Sequence, residues 1–78
     1  MRESEFYSAL DWVFPSQGRS LIQDLVLYSL GEQTPQEALN AGMDPQRVWD
    51  ALIRAMDMPE KYRFAHRVKP DDRQAWQA

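Results

Sequence analysis

Apolar positions along this chain recur mostly at three- and four-residue intervals, and that spacing predicts helices throughout. Phe6, Ala9, Leu10, Val13 and Phe14 form one stripe, consistent with a first helix from Ser4 to Phe14. Ser4 is its expected N-cap and Glu5 a favourable charge in its first turn. Pro15 stops it and Gly18 loosens the turn that follows. Trp12 lies off the stripe and is read as a flank residue covering the core edge or the tail. A second helix is expected to begin between Ser16 and Ser20 and to reach Leu30, with Gly31 as its stop. Leu21, Ile22, Leu25, Val26, Leu27, Tyr28 and Leu30 cover more than one face of it. A helix apolar over that much of its circumference is normally packed on several sides, so it is expected to supply most of the core. Asp24 within it is read as solvated or paired with an arginine.

The polar residues of 34–45 punctuate two further helices. Thr34 is an N-cap, Pro35 falls at the first helical position, and Glu37 stands three residues on, completing a capping box. Gly42 ends this short helix in a left-handed conformation that is cheap only for glycine. Asp44-Pro45 repeats the start signal for a helix to Asp57, whose buried stripe is Val48, Trp49, Leu52, Ile53 and Met56. Its wet face is Gln46, Arg47, Asp50, Arg54 and Asp57, with Asp50 and Arg54 at the spacing of an i,i+4 ion pair. The short turn Gly42-Met43-Asp44 implies a steep crossing, as in helix-turn-helix units. Met58-Pro59-Glu60 reads as one more start. From Phe64 the periodicity lapses, although Pro70-Asp71-Asp72 suits a last helical turn carrying Trp76. The expected fold is therefore all-α, a small bundle of four or five helices containing a helix-turn-helix-like pair. A helical domain spans 1–63, and a basic, loosely ordered tail spans 64–78.

Composition narrows the function classes. The chain has 78 residues, no cysteine and a formal net charge of −3. A core of this size rarely supplies more than roughly 3–5 kcal/mol without a disulfide, metal or partner. Without cysteine there is neither disulfide nor thiolate site, which fits a reducing compartment. The start lacks the apolar run of a signal peptide, and the longest apolar block, Leu25 to Tyr28, is too short for a bilayer. A cytoplasmic protein with no membrane partner is expected. Residues 1–57 hold four basic against nine acidic side chains, and residues 58–78 five against three. The body should thus repel phosphates.

Catalytic chemistry lacks its usual parts. His66 is the one histidine and has no spaced second ligand, so no metal site is expected. Nothing near Ser8, Ser16, Ser20 or Ser29 suggests a base. The three glycines make no phosphate loop, and Asp71-Asp72 falls in the tail. No catalytic residue, cofactor or metal is expected, and the protein is read as a non-enzyme.

By Leu52 a family resemblance is visible. Met1-Arg2, Glu5-Phe6, Asp24 with Val26-Leu27, Leu30-Gly31, Thr34, Ala38-Leu39, Ala41-Gly42, Pro45, Val48-Trp49, Ala51 and Asp57 with Pro59 carry it. The chain resembles a family of small uncharacterised actinobacterial proteins classed as a domain of unknown function, over residues 1 to about 63. The resemblance implies a small helical cytosolic fold and brings no activity or cofactor. Departures are Pro15, where such proteins usually carry glycine, and Asp50, where a basic residue is common.

Two functional readings remain. One is a protein-interaction or regulatory module whose basic, aromatic end (Tyr62, Phe64, Arg67 and Trp76, with Lys61 and Arg63 as further candidate contacts) docks an acidic partner or orders on binding. The alternative is a helix-turn-helix nucleic-acid binder reading DNA through helix 45–57, with Gln46, Arg47, Asp50 and Arg54 presented to bases. The spacing of Ala38, Met43, Val48 and Ala51 suits that motif. Against it stand the acidic body, Asp50 and Asp57 on the reading face, and apolar Trp49 and Ile53 near it. The interaction module is the preferred reading, with a monomer or weak homodimer expected.

Overall fold

Trp49 has no exposed surface, and the structure is arranged around the helix that carries it. The computed structural model describes residues 1–76. Its α-helices are α1 (Glu3–Val13), α2 (Gly18–Asp24), α3 (Pro35–Asn40), α4 (Pro45–Ala55) and α5 (Arg73–Trp76). Tighter 3-10 segments lie at Tyr28–Leu30, Glu60–Arg67 and Pro70–Asp72. An isolated antiparallel bridge joins Leu27 to Gln33, and the described residues contain no strand. The fold is a small all-α bundle.

The α3–α4 pair follows from local chemistry. The Glu37 amide donates to Thr34 Oγ1 at 3.2 Å, and the Thr34 amide donates to Glu37 Oε1 at 2.9 Å, closing the capping box. After α3, Gly42 takes φ 89°, and the amides of Gly42 and Met43 return to the carbonyls of Leu39 and Ala38. Those two bonds are a Schellman closure. Asp44 occupies the N-cap position of α4, although its side chain makes no capping bond. Replacing Thr34 by alanine removes one half of the box. A loss of about 1 kcal/mol is expected, read as a lower urea midpoint with an unchanged slope.

Three expected boundaries are corrected. The first helix starts at Glu3, so Ser4 lies inside its first turn and does not cap it. Arg2 is the N-cap residue, and its amide donates to Glu5 Oε1 at 2.7 Å. α4 ends at Ala55 rather than Asp57. Asp57 takes a left-handed φ of 53°, and the amides of Asp57 and Met58 close back on the carbonyls of Arg54 and Ile53. This is the Schellman closure again, built on one of the few non-glycine residues that tolerate such a backbone.

The largest correction concerns the second helix, which does not run to Leu30. α2 stops at Asp24, and Leu25 and Leu27 are extended. Leu27 is buried, whereas Val26 is 52 % and Tyr28 82 % exposed. That is the in–out alternation of extended chain. A helix apolar on all sides needs neighbours on all sides, and a chain this short has too few to surround one. The extended stretch and the turn after it bury Leu27 and Leu30, half-bury Leu25, and leave Val26 and Tyr28 in water. Ile22 is the one large apolar side chain of α2 that is fully buried.

The core centre is instead α4, whose Val48, Trp49, Leu52 and Ile53 are all fully buried. The Phe6 ring meets the Trp49 indole edge-on at 5.5 Å, and Phe14 meets it at 6.2 Å. The Trp49 Nε1–H donates to the Tyr62 carbonyl at 2.7 Å, which anchors the chain after α4 to the core.

The expected boundary between domain and tail at 63/64 falls inside the 3-10 segment Glu60–Arg67, at Phe64, whose backbone angles break it. Just beyond, Ala65 is fully buried. Trp76, on the final helical turn that Pro70-Asp71-Asp72 precedes, packs against Trp12 and Tyr62 at 6.2 and 5.4 Å. Residues 77 and 78 of the expected tail lie outside the described residues.

Candidate functional site

Because α4 buries one stripe, the helical period turns Gln46, Arg47, Asp50 and Arg54 outward. The expected Asp50–Arg54 ion pair does not form. Asp50 Oδ2 accepts from Arg63 Nη2 at 3.1 Å, and its Oδ1 accepts from Gln46 Nε2 at 2.8 Å. Gln46 Nε2 also donates to the Arg63 carbonyl at 2.9 Å. The 60–67 segment thus delivers a guanidinium alongside α4, and Asp50 takes that partner over the one a helical turn away. Both side chains are partly shielded from water. The hydrogen bond and charge of Asp50 hold the Arg63 guanidinium above its ordinary pKa. Phe64, 44 % exposed, has two guanidiniums near its ring, Arg63 at 5.6 Å and Arg67 at 5.3 Å from the ring centre.

Beside this network runs a cleft of about 530 Å³ between α4 and the Tyr28–Leu30 turn. Ser29 and Leu30 line one side, and Arg47, Asp50, Ala51, Arg54 and Ala55 the other. The side chains of Arg47 and Arg54 are exposed and make no ion pair or hydrogen bond among the described residues. The acid between them is neutralised by Arg63, so the cleft is net positive on an otherwise acidic body.

Lys61 and Trp76, expected in the basic, aromatic end of the chain, do not line this cleft. Lys61 Nζ stands 5.6 Å from the Tyr62 ring centre and 5.2 Å from that of Trp76. Arg73 covers Trp12 at 5.3 Å, and the Tyr62 hydroxyl donates to the Trp76 carbonyl. This cluster ties the C-terminal turn to α1 and the 60–67 segment. Of the residues singled out from the sequence, Gln46, Asp50 and Arg63 are joined directly, and Arg47 and Arg54 flank one cleft. Arg67 reaches the group through Phe64. Ser29 and Leu30 were missed because they were placed in a buried helix. The run Leu25-Val26-Leu27-Tyr28 is apolar throughout, so no alternation in the sequence would have released them.

Among the described residues no group of three or more His, Asp or Glu side chains is arranged to hold a metal ion. His66 is half-buried, burial pushes its imidazole pKa down, and its Nδ1 makes no hydrogen bond. Among the described residues no helix is long and apolar enough to cross a membrane.

Fold and surface together define a small all-α protein with an open, arginine-flanked cleft along its central helix. The chain belongs to the family described as "Protein of unknown function (DUF3046)", whose model matches residues 1–61. No curated protein and no solved structure matches the chain.

Proposed function

We propose that this is a small, non-catalytic cytoplasmic interaction module that docks an acidic region of a partner protein on the outward face of α4 and the adjoining 60–67 segment. The observation that carries this reading is the pair Arg47 and Arg54, uncommitted beside a cleft whose only acid is already paired. Exposed Phe64, with Arg63 and Arg67 beside its ring, extends the face with the aromatic and arginine content that interaction surfaces favour.

The nucleic-acid reading fits this shape less well. A recognition helix must stand proud to enter a major groove about 12 Å wide. Here the outward face of α4 forms a wall of a cleft, flanked by Ser29 and Leu30. Gln46 and Asp50, two of the four expected base-reading side chains, are occupied with Arg63.

The test is a backbone NMR titration with a glutamate-rich polypeptide and, separately, with duplex DNA, each at low and moderate salt. Shifts on Arg47, Arg54, Arg63 and Phe64 with the polypeptide, persisting at moderate salt, are expected. A response to DNA alone would replace this reading with the nucleic-acid one, and silence toward both would remove the docking face.

A further inference from the structure

The cleft between α4 and the Tyr28–Leu30 turn has the dimensions to define its ligand. Building on the interaction reading, we infer that it is a two-point clamp for an extended acidic segment carrying two carboxylates three residues apart, one for each of Arg47 and Arg54.

Arg47 and Arg54 are seven residues apart on one helix, about 10.5 Å along its axis and within 20° of one face. A polyproline-II segment rises about 3.1 Å per residue with three residues per turn, so side chains at i and i+3 share a face and stand about 9.3 Å apart. That spacing matches the arginines, and adjacent carboxylates do not. Four residues of thin, extended chain suit a volume of about 530 Å³.

The lining agrees with such an occupant. Ala51, Ala55 and Leu30 offer short apolar contacts to the methylenes between the two charges, and the exposed Ser29 hydroxyl is a donor for a main-chain carbonyl. Asp50 would repel an acidic segment, but Arg63 and Gln46 already hold both of its oxygens. The rest of residues 1–57 is acidic and turns such a segment away from the remainder of the body. Guanidinium–carboxylate pairs are directional and frequently bidentate, so two of them fix both register and spacing.

The full chain is to be titrated with two synthetic peptides of identical composition, one with its two glutamates three apart and one with them adjacent. Affinity and amide shifts are read together. The spaced peptide is expected to bind at least several-fold more tightly, with shifts at Ser29, Arg47, Ala51 and Arg54. Arg47→Gln and Arg54→Gln are each expected to weaken it by about tenfold, as the loss of one water-exposed, charge-assisted hydrogen bond does. Lys69→Gln, exposed and outside both the cleft and the docking face, is the control and should change affinity by less than about twofold, as exposed charges usually do. Neither cleft arginine bonds to the rest of the fold, so circular dichroism of the variants should match the parent. Equal affinity for the two peptides, or indifference to Arg47→Gln and Arg54→Gln, overturns the clamp. If shifts then fall on Arg63, Phe64 and Arg67, the broader docking face survives without it. If no acidic peptide binds at any salt, both readings fall together.

Discussion

Replacing Trp49 by alanine is expected to leave the chain without a cooperative unfolding transition. The indole is fully buried, faces Phe6 and Phe14, and holds the Tyr62 carbonyl. Truncating a buried tryptophan to alanine costs roughly 3–5 kcal/mol, the lost transfer energy plus the cavity left behind. A domain of this size has roughly 3–5 kcal/mol in hand altogether, so the deletion consumes most or all of it. Trp49→Phe separates packing from the hydrogen bond. It keeps much of the apolar volume and strands the carbonyl, for an expected loss of about 1–3 kcal/mol in a chain that still folds. Far-UV circular dichroism and urea titration of both variants check this. A Trp49→Ala variant that unfolds cooperatively near the parent midpoint would mean that Trp49 is not the centre of the core.

Gly18→Ala is expected to destabilise, against the usual sign for a helical glycine. By propensity alone the change should help, since glycine in a helix is worse than alanine by roughly 0.5–1 kcal/mol. Gly18 opens α2 where it meets α1, and an added Cβ would stand 2.8 Å from Leu10 Cγ and 3.1 Å from the Leu10 carbonyl oxygen. One of these is the branch point of a fully buried side chain and the other is backbone, so neither yields cheaply. Overpacking of this kind typically costs 1–3 kcal/mol, about twice the propensity gain or more. The net expectation is a loss of about 1–2 kcal/mol, visible as a lower urea midpoint. A more stable variant would show that α1 and α2 do not approach this closely.

The two substitutions bear on how much of the molecule is legible in its residues. Gly18 was read as a loosened turn, because a glycine after a proline is an ordinary loop signal. That it is a contact residue depends on Leu10, eight positions earlier. The candidate site divides in the same way. Arg47 and Arg54 were legible from the 3.6-residue period, which turns them outward once the stripe of Trp49 is buried. The opposite wall at Ser29 and Leu30 was not, because a run of apolar residues reads alike as buried helix or as alternating extended chain.

By itself the sequence determined whatever is settled within about one helical turn. The Thr34–Glu37 box, the Gly42 closure, the start at Pro45 and the apolar stripes of α1 and α4 are all of this kind. Each is an interaction between residues three or four apart, whose geometry the backbone enforces wherever the segment lies. Only the tertiary structure decided the choices with competing partners. Asp50 pairs with Arg63 thirteen residues away rather than Arg54 four away, Asp57 closes α4 where no glycine stands, and the chain after Asp24 leaves the helix so that Leu27 and Leu30 reach the core. In each case the local alternatives lie close in energy, and what settled the outcome was which groups the rest of the fold brought alongside.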